Sequence, residues 1–263
     1  MGDKQDENEG DRNQYHPRTR TRNLKNETVS SAHSSFSQIK CIYTNIDGLS
    51  NKTDLLTFYV NEIKPHIIMI TETKMIPEDK NIDYFRFGGY NIFRLDRGTA
   101  DRGGGVVILV DINLNSESIP ANLYQNNTES IACMVKFGNK TLVLGCLYRP
   151  PNSPHEYNVG INRVISSLSN ITADQYLICG DFNYPRIDWT NHLVNRIENS
   201  IEQLFYDECQ NAFLWQHVKE ITRQRGTNEP SVLDLVFSKN ELEIEEIKYD
   251  PPIGRSDHAV LKF

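Results

Sequence analysis

The sequence predicts an α/β or α+β domain built on two β-sheets. Three observations lead there. About ten short runs rich in Ile, Val, Leu or Tyr are bounded by turn-forming residues, the mark of buried strands. Only three stretches carry apolar residues at helical spacing, a ratio that favours two sheets over one wound sheet. Most of the short acidic and amide motifs sit at or just after the end of an apolar run. Polar residues at one end of several strands converge on a common rim when the strands share a sheet.

Each element can be justified in order. Ile39 to Tyr43 reads as a strand, and Ser50 to Ile63 as a helix with Leu56, Val60 and Ile63 on one face, ended by Pro65. His66 to Thr71 is a fully apolar strand. Tyr90 to Arg94, Gly105 to Val110, Ser130 to Phe137 and Lys140 to Tyr148 follow as strands, with Gly138-Asn139 turning a hairpin between the last two. A helix spans about Glu156 to Leu168, with Ile161, Val164, Ile165 and Leu168 aligned. Tyr176 to Cys179 is a strand that delivers Asp181, and Ile201 to Ala212 is helical. Val232 to Phe237, Ile244 to Tyr249 and Ala259 to Phe263 close the chain as strands.

Bulk properties bound the function. The chain has 263 residues, 38% hydrophobic, enough for one large domain with a core. A net charge of -7 argues against a protein that merely coats nucleic acid, and only weakly against an enzyme acting on it. Five cysteines without a C-x-x-C pair exclude an ordinary zinc site and fit reduced thiols in a soluble, intracellular protein. No apolar stretch approaches the ~20 residues needed to span a bilayer. Residues 1–37 are polar and read as a disordered tail; deleting them should leave folding intact. Residues 38–263 form the domain.

The candidate site residues lie in the strand-end motifs. Asn45 and Glu72 end the first two strands, and a carboxylate with an amide suits Mg²⁺. In Gly180-Asp181-Phe182-Asn183, two polar side chains flank an aromatic anchor and share one side if strand geometry continues; the same residues also fit an Asx turn. Asp181 there would orient a water and Asn183 would donate to a phosphoryl oxygen. His258 follows Asp257, but neighbours in extended chain point apart, so Asp234 from Leu233-Asp234-Leu235 is the expected partner of the imidazole. Tyr148-Arg149 offers a phenol and a guanidinium to phosphate. Arg102-Gly103-Gly104-Gly105 lacks the lysine of a P-loop and reads as a tight turn or close backbone approach. Arg223 and Arg225 stand in a polar loop suited to gripping a nucleic-acid backbone, although a surface arginine pair is ordinarily only solvated.

Taken together, the motifs resemble the endonuclease/exonuclease/phosphatase superfamily, and more narrowly the apurinic-type endonuclease domain of LINE-type (non-LTR, Jockey and chicken-repeat-like) retrotransposons. The narrower likeness rests on Arg102-Gly103-Gly104-Gly105-Val106, Tyr148-Arg149-Pro150-Pro151, Gly180-Asp181-Phe182-Asn183 with Ile187-Asp188-Trp189, Gln216-His217-Val218 leading to Thr222-Arg223, Leu233-Asp234-Leu235 and Ser256-Asp257-His258, in family order between Ile39 and Phe263. The resemblance implies a four-layer α/β sandwich, two mixed β-sheets flanked by helices (DNase I-like). It implies an Mg²⁺-dependent DNA endonuclease, with Mn²⁺ able to substitute, that nicks one strand and leaves a 3′-hydroxyl.

By motif, Asn45, Glu72 and Asp257 would serve the metal. Asp181, Asn183, His258, Asp234 and Tyr148 would carry catalysis. Arg149, Thr222, Arg223, Arg225 and Ser256 would meet phosphate or DNA, Thr222 also supporting the site. The expected protein is a monomer with DNA as its partner, no membrane and no obligate protein partner, placed in the nucleus for action on DNA, with the cytoplasm as the alternative. Two departures stand out: Ile221 replaces the clade's usual proline, and the chain stops at Phe263, where such elements usually continue into a reverse transcriptase. A fragment, a decayed element and a domesticated endonuclease all fit that ending. A phosphatase or phosphodiesterase on a small or lipid substrate, and an inactive binding domain, are the competing functions.

Overall fold

The computed structural model describes residues 38–76, 88–97, 103–124, 127–194, 200–227 and 229–263. The expected tail at 1–37 and Arg102 of the glycine motif lie outside the described residues.

Two βαβ units organise the domain. In the first, β1 (Cys41–Asn45) leads through α1 (Thr53–Ile63) to β2 (Ile67–Thr71), and the two strands pair in parallel from Cys41↔Ile67 to Asn45↔Thr71. Next come β3 (Tyr90–Leu95), β4 (Val106–Asp111), β5 (Asn115–Ser118) and β6 (Glu129–Phe137). The second unit runs from β7 (Lys140–Tyr148) through α2 (His155–Ser169) to β8 (Gln175–Asp181), parallel from Leu142↔Gln175 to Tyr148↔Asp181. The short strands β9 (Ile187–Asp188) and β10 (Leu193–Val194) precede α3 (Ile201–Asn211). Then follow β11 (Trp215–Gln216), β12 (Asp234–Ser238), β13 (Lys248–Asp250) and β14 (Val260–Lys262).

The first sheet has the order β13-β14-β1-β2-β4-β3 and the second β11-β12-β8-β7-β6-β5. Each combines its one parallel pair with antiparallel neighbours, so both are mixed. Alternation along the strands sets the layers. Tyr43, Ile67, Met69, Val106 and Ile108 face inward against Cys133, Leu144, Cys146, Cys179 and Val236 of the other sheet. Their alternates Ile42, Ile68, Ile70, Val107 and Leu109 pack with Leu56 and Val60 of α1. On the far face of the second sheet, Val143, Leu147 and Ile178 pack with Ile161, Val164 and Leu168 of α2 and with Phe205 of α3. Both faces of the central strands are thus covered, which is why their sequences read as continuous apolar runs. The result is the four-layer α/β sandwich that the motifs implied.

Some boundaries differ from the sequence reading. The strand expected to stop at Cys179 runs on to Asp181, since Gly180 still pairs with Leu147 and Leu235. Only glycine fits there: an added Cβ would lie 2.2 Å from the Leu147 carbonyl oxygen. Helix α1 starts at Thr53 rather than Ser50, because residues before it close a turn with Lys52 N–H donating to Leu49 O. The strand expected over Ile244 to Tyr249 shrinks to Lys248–Asp250, opposite an equally short β14. The five cysteines are all buried and free. Among the described residues, no helix is long and apolar enough to cross a membrane.

Candidate active site

The parallel strands all end at one rim, and their ends carry the chemistry. Asn45 closes β1, Glu72 follows β2, Tyr148 closes β7 and Asp181 closes β8. Asp234 opens β12 directly opposite Asp181, and His258 sits just before β14. The two sheets therefore bring residues more than 200 positions apart, Asn45 and His258, into one cluster at the strand ends.

At its centre Asn45 Nδ2 donates to Asp181 Oδ2 at 2.8 Å and to Glu72 Oε1 at 3.1 Å. Its side-chain Oδ1 accepts the Asp47 backbone N–H at 3.0 Å. Beside it, His258 Nδ1 lies 2.7 Å from Asp234 Oδ2, both fully or nearly fully buried. The other ring nitrogen faces the cluster, with Nε2 3.9 Å from Asp181 Oδ2 and 3.7 Å from Asp257 Oδ1. Asp234 accepts a second bond on Oδ1 from Tyr43 O–H at 2.9 Å, which ties the first sheet to the second. The Thr222 hydroxyl accepts the backbone N–H groups of Leu233 and Asp234, both at 3.1 Å.

These contacts set the charge states. Burial pushes the Asp181 carboxyl above the ordinary carboxylate range, and the Asp234 charge adds to it. Burial acts to lower His258, but the Asp234 charge and hydrogen bond, then Asp181 and Asp257, outweigh it and raise the imidazole above its usual value. Burial, followed by the Glu72 charge and hydrogen bond, raises the Tyr148 phenol.

The loop after β8 is held by packing. Phe182 is fully buried, its ring 5.1 Å from Phe205 and 5.6 Å from Phe237 by centroids. Asn183 then turns into left-handed backbone at φ 50°, with its N–H donating to Asp181 Oδ1. Strand geometry thus ends at Asp181, and the Asx-turn alternative describes the backbone here. Asn183 Nδ2 donates to Arg149 O at 2.8 Å.

Three residues expected at phosphate are enclosed and bonded within the protein. Arg149 is 2% exposed; it donates to Asn158 Oδ1 and to the carbonyls of Phe182 and Asn183, and stacks 4.1 Å over Tyr184. It braces the Asn183 loop from behind. Ser256 Oγ donates to Asn45 O and accepts His258 N–H, an internal strut. Thr222 is equally enclosed. The two loop arginines part company. Arg223 pairs through the backbone with Ser231 and through Nε with Asp257 Oδ2 at 3.0 Å, while Arg225 is exposed beside Gly226. Tyr43, Asp47 and the Arg149–Asn158 brace were missed from sequence. A tyrosine or an arginine inside a strand or at its end carries no local signal for such long-range bonds.

The donor set fits a hard divalent cation. Asp181, Asp234 and His258 converge with ligand atoms within 4.8 Å of one another, but Asp234 and His258 are bonded to each other, so a cation would sit beside them on the oxygens of Glu72, which is partly exposed, Asn45 and Asp257. Burial first, then the Asp234 charge, disfavours the charged form of Asp181, and a cation beside it would favour that form.

Comparison with known proteins agrees with this architecture. Residues 142–262 match the family model described as endonuclease-reverse transcriptase. The endonuclease domain of TRAS1, a telomere-specific non-LTR retrotransposon, superposes with a TM-score of 0.64 at 18% identity, covering 86% of this chain and 97% of that one. An AP endonuclease from Leishmania major gives 0.67 at 12% identity, covering 85% and 86%. A 3′ phosphatase from Neisseria, bound to product DNA hairpin, gives 0.64 at 12% identity, covering 86% and 98%. No curated protein matches the sequence significantly. The chain has the fold that these solved structures share. Within it, the chain resembles AP endonucleases and the endonuclease domain of a non-LTR retrotransposon.

Proposed function

We propose that this protein is an Mg²⁺-dependent DNA endonuclease of retrotransposon type, hydrolysing one phosphodiester bond and leaving a 3′-hydroxyl. The observation that carries this reading is the buried cluster in which Asn45 joins Glu72 to Asp181 while Asp234 holds His258 3.9 Å from Asp181. Glu72, Asn45 and Asp257 would hold the cation, which supplies Lewis-acid stabilisation of developing phosphate charge.

The chain's own residues supply the rest. Asp181, anchored by Asn45, orients the attacking water and takes its proton at Oδ2. Asp234 fixes His258 with Nδ1 as the donor, so Nε2 points at the phosphoryl position. Tyr148 and Asn183 offer further donors to phosphate oxygens as charge develops. Arg225, exposed at its loop, contacts the DNA backbone. The C-terminal match to an endonuclease-reverse transcriptase family and the DNA hairpin bound to one structural neighbour support DNA over a small or lipid substrate. The protein would act on DNA in the nucleus, as a monomer.

Plasmid nicking in Mg²⁺, compared with EDTA and with a small phosphodiester, tests the proposal. Supercoiled plasmid should convert to open circle only with the metal, and Asp181→Ala should abolish it. Hydrolysis of the small ester with no nicking would favour the small-substrate reading. No hydrolysis of either would favour a binding domain.

A further inference from the structure

The wall of the rim beside Tyr148 contains an ion pair that the reading above does not use. Arg97 follows β3 of the first sheet, and Glu129 opens β6 of the second. Arg97 grips Glu129 Oε1 through both Nε, at 2.8 Å, and an outer nitrogen. The other carboxylate oxygen accepts the Gly105 N–H at 2.6 Å. Glu129 is also the register partner of Tyr148 in the β6–β7 ladder. Its backbone N–H donates to Tyr157 O–H at 2.8 Å, and that hydroxyl donates to Tyr148 O at 3.0 Å. The Arg97 guanidinium lies 5.7 Å from the centroid of the Tyr148 ring.

The glycines show how closely this corner is built. Gly104 has φ 63°, and an added Cβ would lie 1.9 Å from Glu129 Oε2 and 2.7 Å from Arg97 Cζ. The carbonyls of Gly104 and Gly105 accept the N–H groups of Lys74 and Thr73, the two residues after Glu72. One small network therefore reaches Glu72 on one side and Tyr148 on the other. An arginine fork fixes a planar geometry that a lysine does not, and a cation over an aromatic face restrains the ring.

We infer that Arg97, locked by Glu129, is a positioning residue that holds the Tyr148 phenol in place for the substrate phosphate. The inference rests on the phosphodiesterase reading for Tyr148. Arg97 itself need not touch substrate, since its guanidinium is already committed to Glu129 and to the ring.

The test combines a kinetic cycle with a measurement independent of activity. Wild type, Arg97→Met, Tyr148→Phe and the double variant are compared in plasmid nicking with Mg²⁺. Arg97→Met should lower kcat by about 10-fold or more with KM within about 2-fold, because misplacing a reacting group costs rate rather than binding. In the Tyr148→Phe background the same substitution should cost under about 2-fold, since its effect runs through the lost phenol. Arg97→Lys should recover part of the loss through charge alone, and it provides a variant if Arg97→Met does not fold. Equal losses in both backgrounds would overturn the inference. Independently, the carbon-13 ring resonances of Tyr148, assigned by their disappearance in Tyr148→Phe, should shift or broaden in Arg97→Met and Arg97→Lys. Unchanged resonances overturn it whether or not the protein is a nuclease. A wild type that cleaves nothing while those resonances do move would refute the functional reading and keep the positioning contact.

Discussion

Tyr43→Phe removes one oxygen from the middle of the molecule and tests how the site is held. The ring is fully buried between the sheets and would stay where it is, so the substitution creates almost no cavity. The hydroxyl makes two bonds, to Asp234 Oδ1 and to Thr71 Oγ1, each 2.9 Å. A bond to a buried charge contributes about 1.5–3 kcal/mol and a neutral one about 1. Thr71 can turn to other partners, but Asp234 is 0% exposed and can take no water in exchange. The expected loss is therefore about 2–3 kcal/mol, a fall in Tm of roughly 5–10 °C for a domain of this size. Guanidinium unfolding at pH 7 in EDTA measures it without interference from metal. Asp234→Asn in the same cycle should show a coupling of about 1 kcal/mol or more with Tyr43→Phe. Because Asp234 also orients His258, nicking should fall as well. A stability change under about 0.5 kcal/mol with additive double-variant behaviour would refute the claim that Tyr43 secures a charged Asp234.

Other outcomes follow from the same geometry. Glu72→Gln should weaken metal dependence, raising the Mg²⁺ concentration for half-maximal nicking while the Tm in EDTA stays near wild type; unaltered metal titration would remove Glu72 from the metal set. Arg225→Ala should raise KM for duplex DNA and reduce the salt slope by about 1, with small-ester hydrolysis unchanged. Arg223→Ala should instead impair both substrates, because it frees Asp257; matching behaviour of the two variants would contradict the assignment. Burial, with a smaller contribution from Lys219, pulls the His217 imidazole from 6.5 to about 4. Its folded form binds the proton less readily than the unfolded chain, so its stabilising effect is complete above pH 6.5. That effect is lost as pH falls toward 4, about 3 kcal/mol across the window. His217→Gln should flatten the measured stability between those pH values, and an unchanged slope would place the titration elsewhere.

How much was readable in advance depended on the range of the interaction. Alternation and apolar runs revealed the long strands, because the central ones are covered on both faces and therefore apolar throughout. The strands β9, β10 and β11 escaped notice, since two residues are too few for a period to show. Motif positions located the polar rim, because strands sharing a sheet must end together. The same motifs could not show the partners of Arg149, whose sequence context is the same whether its guanidinium faces solvent or, as here, the Asn183 loop. Asn158, one of those partners, lies in the first turn of α2, where nothing local distinguishes it from a surface amide.

The rim has a physical cause beyond the shared strand ends. Each parallel pair is joined by a helix on the outer face, so β1, β2, β7 and β8 all reach the rim with their C-terminal ends. Unpaired backbone and polar side chains can be placed there at little cost in core packing. Burying acids there without a partner would be costly, and the structure offsets this with a donor for each: Asn45 for Asp181, Tyr43 for Asp234, and Arg223 for the partly buried Asp257. Even so, burial and the Asp234 charge outweigh Asn45 and His258 and keep the Asp181 carboxyl raised. A cation beside it would favour its charged form. The convergence of Asp181, Asp234, Asp257 and His258 on one rim, each braced by its own partner, is the arrangement that the proposed hydrolysis would use.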